Sequence, residues 1–253
     1  MTDRERAIAE RNEQREQFHD LAICTTTLYK DDAISHVRQK LALKLLKNAE
    51  RLGIRCVVVD GGSNPAFLEQ VRAMTNVVLI EDAQLGMGES RRVAFKRAFN
   101  IPQVSYVLWT EPEKDDMVRE DNIQKMISSV RQGEADIVVP KRQSMSSMPK
   151  FQAWIESRAN QKASQEQWDL WFGPKLFNRA GGDFFLNYKG DLDKWDAVIK
   201  PVLNARNGGK TVKTVEIDYN YDPSQTEVEE DDRGMKQKRL DQYRSILNEL
   251  SKD

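Results

Sequence analysis

The sequence predicts an α/β chain with a mostly parallel central sheet flanked by helices, and three observations carry that expectation. Short apolar runs, the uncharged LAICTTTL and the IRCVVV that opens IRCVVVDGGSN, have the composition of strands buried on both faces. Segments with apolar residues three and four apart separate them. The two kinds alternate with short connections through residue 140, as expected of parallel strands joined by crossover helices.

Taken in order, residues 3–17 read as a charged helix with little apolar stripe, suited to loose packing or to a second chain. Residues 21–28 are the first strand. Ile34, Val37, Leu41 and Leu45 mark a helix that Gly53 ends. The next strand closes in Asp60-Gly61-Gly62-Ser63. A short helix over 65–74, a strand over 77–81, a glycine-led helix over 86–99 and a strand over 105–110 follow. A helix over 122–131 and a fifth strand over 135–140 complete the alternating part. Past residue 142 the rhythm breaks. QSMSSMPK reads as a mobile loop and leads into an aromatic segment that holds Trp154, Trp168, Trp171 and Phe172. Residues 193–207 read as helical, 210–221 as extended, 227–232 as a solvated acidic linker, and 233–250 as a charged terminal helix. The partition is therefore an N-terminal helix (1–19), an α/β region (20–142), a second region of the same domain (143–232) and a C-terminal helix (233–253).

Composition narrows the function classes. The chain has 253 residues, with 39 Lys and Arg against 40 Asp and Glu, for a net charge of −1. That balance excludes a dedicated nucleic-acid binder, which needs clustered cations. No apolar window approaches eighteen residues, so no membrane span is expected, and the charged N-terminus has no secretory h-region. The chain reads as cytoplasmic. Cys24 and Cys56 fall in strands, where buried free thiols are expected, with a disulfide between them as the alternative.

Parallel sheets of this kind bind ligands beyond the carboxyl ends of their strands. Four such ends are polar. Thr25, Thr26 and Thr27 bring hydroxyls suited to a base or ribose, unless the segment is an ordinary turn capped by Asp31 or Asp32. Asp60 brings an acceptor beside two glycines that admit close backbone approach, or else belongs to a simple turn. Gly86 leads a helix whose N-terminal N–H groups favour an anion, and Arg91 and Arg92 suit a diphosphate. That segment lacks the dinucleotide and Walker spacings. Glu111 and Glu113, two apart on an extended segment, point the same way and suit one hard cation such as Mn²⁺ or Mg²⁺, the alternative being a solvated acidic turn.

These segments, in this order, resemble the donor domain of GT-A fold glycosyltransferases, especially the family 2-like group. The resemblance lies in VDGGSN, GMGESRR, the acidic close of the fourth strand and ADIVVPKR, and it covers about residues 20–190. It implies a Rossmann-like GT-A sheet with a C-terminal acceptor-side region. It also implies a nucleotide-diphosphate sugar as donor, a hydroxyl acceptor and a divalent metal. It places Thr26, Asp60 and Arg92 near the nucleotide, and Glu111 and Glu113 where that group has Asp-x-Asp. QWDLWFGP resembles the family's D-x-x-x-G region, which makes Asp169 the candidate general base, with the neighbouring aromatics either stacking on sugar or forming core. YNYDPSQ stands where some such enzymes place a late His ligand, and this chain has none there. Sugar-phosphate nucleotidyltransferases share the sheet but carry a glycine-rich loop directly after the first strand, where this chain has TTTLYKDD. A binding protein that kept the sheet and lost turnover is the third reading. The terminal helices offer a route to a homo-oligomer.

Overall fold

A computed structural model describes residues 16–163, 168–191, 193 and 196–250. Seven strands form one sheet in the order β3-β2-β1-β4-β6-β5-β7. They are β1 (Leu21–Thr27), β2 (Arg55–Asp60), β3 (Val77–Glu81), β4 (Tyr106–Trp109), β5 (Ile137–Arg142), β6 (Lys175–Asn178) and β7 (Val212–Ile217). All neighbours run parallel except β6, which is antiparallel to both β4 and β5. The first helices are α1 (Ala33–Arg51), α2 (Pro65–Arg72), α3 (Met87–Phe99) and α4 (Glu120–Arg131). The second half supplies α5 (Lys150–Ala163), α6 (Arg179–Leu186), α7 (Asp196–Asn207), α8 (Pro223–Glu230) and α9 (Arg233–Leu250).

Alternation along β1 explains why it sits centrally. Leu21 and Ile23 enter one core with Leu45 and Leu46 of α1, and Ala22 and Cys24 enter the other with Ala94 and Phe95 of α3. Each fully buried Leu or Ile stabilises the fold by about 1.5–3 kcal/mol. Helix α1 starts at Asp32, whose carboxylate accepts from Ser35 N at 2.8 Å, and ends before Gly53 at φ 69°, a left-handed conformation that favours glycine. Cys24 and Cys56 are buried free thiols in different cores, on opposite faces of the sheet, which rules out the disulfide alternative.

The second half departs from the sequence expectation. The aromatic segment begins as helix α5, and a strand and helix (β6, α6) follow where no regular element was expected. The acidic run is no solvated linker. Residues 227–230 end α8, and Glu229 is buried there with its carboxylate 2.7 Å from Arg38, while Asp231 beyond the helix is exposed. Nor is QSMSSMPK free, because Met148 is buried against Arg142. Most of the charged helix expected at 3–17 lies outside the described residues. Helix α9 packs along α5 and α7, with Tyr243 against Trp171, so this face is covered by the chain itself. Among the described residues, no helix is long and apolar enough to cross a membrane.

Candidate active site

The parallel strands end together at one edge of the sheet, where Thr27 stands opposite Asp60 and Asp60 opposite Glu81. A cavity of about 320 Å³ opens beyond that edge. The end of β1 contributes Thr26, Thr27, Leu28 and Tyr29, and the first turn of α3 contributes Met87, Ser90 and Arg91. The segment after β4 supplies Glu111 to Lys114. Arg38, Gly61, Tyr221, Gln225 and three residues of α9 (Lys238, Arg239 and Gln242) also line it.

Of the expected nucleotide residues, Thr26, Thr27 and Arg91 line this cavity. Thr25 is buried in the sheet and does not reach it. Asp60 is only 1% exposed and is a correction to the sequence reading, because its carboxylate is saturated within its own loop. It accepts from Thr27 Oγ1 at 2.6 Å, from Gly62 N and Ser63 N at 2.8 Å each, and from the Ser63 hydroxyl. Asp60 therefore lies outside the cavity lining and fixes the turn from which Gly61 reaches it. Gly62, at φ 110°, makes the turn possible.

The N-terminus of α3 holds an anion, as expected of such a site, but the anion is internal. Gly88 N donates to Asp193 Oδ1 at 2.7 Å, and a Cβ at Gly86 would stand 2.5 Å from Asp193 Oδ2. Gly86 thus admits a carboxylate. Arg91 is buried with its guanidinium 5.5 Å from the centre of the Trp109 ring, facing the cavity. Arg92 faces away from it, donating to Tyr188 O and lying 3.6 Å from Glu89. The two arginines therefore divide, one to the cavity and one to the strap at residue 188.

Glu111 and Glu113 both line the cavity, yet each carboxylate already faces a cation. Glu113 Oε1 lies 3.8 Å from Arg38 Nε, and Glu111 Oε1 lies 3.8 Å from Lys114 Nζ. Burial would raise the pKa of Glu113, but Arg38, Lys114 and Arg239 overcome it and hold the carboxyl below its usual range. The neighbouring acids are committed elsewhere, Asp115 to Lys44 at 2.7 Å and Asp116 to the Asn220 N–H at 2.9 Å. Among the described residues, no group of three or more His, Cys, Asp and Glu is placed to hold a metal. A divalent ion between the glutamates would also meet Lys114 and Arg38, so the donor set does not fit a metal as placed. Glu111 Oε2, by contrast, is buried against Gly173 with no hydrogen-bond partner.

Asp169 is not placed to act as a base. It is 4% exposed and lies outside the cavity lining. Arg142 grips it through Nε and Nη2 at 2.7 and 2.8 Å, and Asn160 donates at 2.8 Å. Burial raises its pKa, while Arg142 and these hydrogen bonds bring it below the ordinary carboxylate value. Trp168, Trp171 and Phe172 are core residues, the plainer of the two readings.

The residues that sequence reasoning missed are mostly cations. Lys114 is buried beneath Phe172 and Tyr221 (ring centres 5.0 and 5.1 Å away) and donates to Tyr221 Oη at 3.2 Å. Burial opposes its charge, but Glu111 leads the groups that raise its pKa. Lys175 is fully buried and donates to the Leu170, Phe172 and Gly173 carbonyls. Burial pulls its ammonium down to about 7. Arg38, Lys238 and Arg239 come from two helices far apart in sequence.

The family model of glycosyl transferase family 2 matches residues 36–190. No curated protein matches the sequence. Among solved structures, one similar in fold is glucosyl-3-phosphoglycerate synthase from Mycobacterium tuberculosis in complex with Mn²⁺, UDP-glucose and phosphoglyceric acid. The TM-score is 0.56 at 11% identity, over 94% of this chain and 82% of that one. A protein from Desulfovibrio desulfuricans G20 assigned to the nucleotide-diphospho-sugar transferases gives 0.52 at 11% identity, over 91% and 98%. CMP:2-keto-3-deoxy-manno-octonic acid synthetase with CTP gives 0.54 at 10% identity, over 89% and 99%. These likenesses establish the GT-A, Rossmann-like α/β fold.

Proposed function

Because the chain belongs to glycosyl transferase family 2, we propose that it moves a sugar from a nucleotide-diphosphate sugar to an acceptor hydroxyl. The observation that supports this best is the cavity itself, which joins the polar strand ends, Arg91 and the acidic segment after β4 in one volume of ligand size. Thr26 and the exposed apolar side chains Leu28 and Met87 are suited to the nucleoside, and Arg91 to the diphosphate.

In the transfer, the acceptor oxygen bonds to the anomeric carbon as the bond from that carbon to the diphosphate breaks. The electron pair remains on the departing diphosphate, and the acceptor proton passes to a base. Glu111 is the carboxylate suited to receive it, since it lines the cavity with no hydrogen-bond partner on Oε2, while Asp169 lies outside the lining and is held by Arg142.

The test is thermal stability of the full chain with UDP, GDP, CDP and dTDP, followed by the matching sugar nucleotides with product analysis. A ligand at about 100 times its Kd adds about 2.7 kcal/mol. For a chain of this size that raises Tm by about 5–10 °C. One base should stand out, and its sugar nucleotide should yield the free diphosphate. The fold likeness to a CTP-bound synthetase gives the second reading, a nucleotidyltransferase. That reading requires pyrophosphate release from a nucleoside triphosphate, and no diphosphate release from any sugar nucleotide.

A further inference from the structure

Three features of the cavity bear on how a diphosphate is neutralised there. The first is charge. Arg38, Arg91, Lys114, Lys238 and Arg239 line it against Glu111 and Glu113, five cations less two carboxylates, an excess of three. Counting Glu229 as well, which pairs with Arg38 from behind the wall, still leaves an excess of two. The second is that the carboxylates expected to hold a metal already face Arg38 and Lys114. The third is an unanswered donor. Arg239 directs Nη1 to Gln242 Oε1 at 3.1 Å, while its buried Nε has no hydrogen-bond partner. Beside it, partial burial and then the charges of Arg239 and Arg38 hold the Lys238 ammonium below its ordinary range, as expected where cations are gathered without enough counter-charge.

Building on the donor reading above, we propose that this chain neutralises the donor diphosphate with its own cations, Lys238 and Arg239 of the C-terminal helix foremost, and with no divalent ion between Glu111 and Glu113. A diphosphate bears a charge on each phosphate and gains one more as the sugar leaves, which matches an excess of fixed positive charge. Arginine and lysine hold such oxygens without dissociating, so occupancy follows the nucleotide alone. Helix α9 then completes the active site, though it lies beyond the residues matched by the family model.

The test is calorimetric titration of UDP, GDP, CDP and dTDP into the full chain, once with EDTA and once with excess Mn²⁺. The expected result is one diphosphate that binds in EDTA with a Kd within about threefold of its Mn²⁺ value, a difference under 1 kcal/mol. Lys238→Met with Arg239→Met should weaken that binding about 100-fold, since each charge-assisted hydrogen bond to phosphate strengthens binding about tenfold. The same double variant should bind the free nucleoside as the parent does, which separates a defect in phosphate binding from a defect in folding. Binding only with Mn²⁺, abolished by Glu113→Gln, overturns this inference and leaves the donor reading intact. Parent-like diphosphate affinity in the double variant also overturns it. Failure of every diphosphate under both conditions overturns the donor reading, and this inference with it.

Discussion

Replacing Asp169 with Ala separates a structural carboxylate from a catalytic one. Asp169 accepts a two-pronged bond from Arg142 and a third from Asn160, all within 2.8 Å, inside a core where it is 4% exposed. Removing one partner of a buried ion pair costs about 3–5 kcal/mol, because the other charge stays buried. Arg142 retains Glu156 at 2.8 Å, so the lower end, about 3 kcal/mol, is expected. For a chain of this size that lowers Tm by about 6–12 °C. Asp169→Asn keeps an acceptor and should cost about 1.5–3 kcal/mol, the range for a hydrogen bond to a charged group. Urea denaturation of the three proteins measures this directly. The pH dependence provides a second reading. Because the folded pKa of Asp169 is lowered, its contribution is fully present above the unfolded value of about 3.9 and is lost as pH falls through the folded one. Asp169→Asn should therefore flatten the acid limb of the stability curve. A loss under about 1 kcal/mol, coupled with a fall in turnover of about 100-fold or more, would mark an accessible base and refute the reasoning.

Gly173 and Lys175, behind the cavity, give two further expected outcomes. A Cβ at Gly173 would collide with both carboxylate oxygens of Glu111, so Gly173→Ala should displace Glu111 and weaken sugar-nucleotide turnover more than nucleoside binding. Comparing the two readouts checks it, and equal losses in both contradict it. Lys175 has a folded pKa lowered to about 7 by burial. Unfolded lysine holds its proton to about 10.4, so the unfolded state binds more protons between these values and stability should rise with pH from about 7 to 10. Lys175→Met should remove that rise in denaturation measured across the window, and an unchanged slope would show that the ammonium stays charged in the fold.

The first half of the fold was legible because its strands announce themselves. LAICTTTL and RCVVVD carry no charge beyond their ends, and Ile34, Val37, Leu41 and Leu45 set a helical period between them. The second half was not, because β6 has only four residues and begins with Lys175, a charge no strand pattern predicts inside a core. The acidic run at 227–232 misled for a related reason. Glu229 is buried against a counter-charge that comes from α1, Arg38, a partner 191 residues away. The strand-end rule located the cavity and found Thr26, Thr27, Arg91, Glu111 and Glu113. It could not separate the enclosed Asp60 from residues that line the cavity, and the resemblance that proposed Asp169 could not show that it is enclosed too. Nor could it reach Lys238 and Arg239, which tertiary packing of α9 delivers. Arg38 is one of several cations on its helix and Lys114 stands in an acidic run, so local sequence alone does not distinguish either from surface.

As proposed, sugar-nucleotide turnover takes place in the cavity at the strand ends. Gly61 lines that cavity, and a Cβ there makes only ordinary contact, 3.6 Å from Thr27 O, so Gly61→Trp should fill the space without disturbing the fold. Release of nucleoside diphosphate from the sugar nucleotide selected by the thermal panel, measured for parent and Gly61→Trp, tests the claim most directly. Release by the parent and its loss in Gly61→Trp at an unchanged urea midpoint are expected. Release that continues in the filled variant, or no release by the parent with any sugar nucleotide, would contradict it.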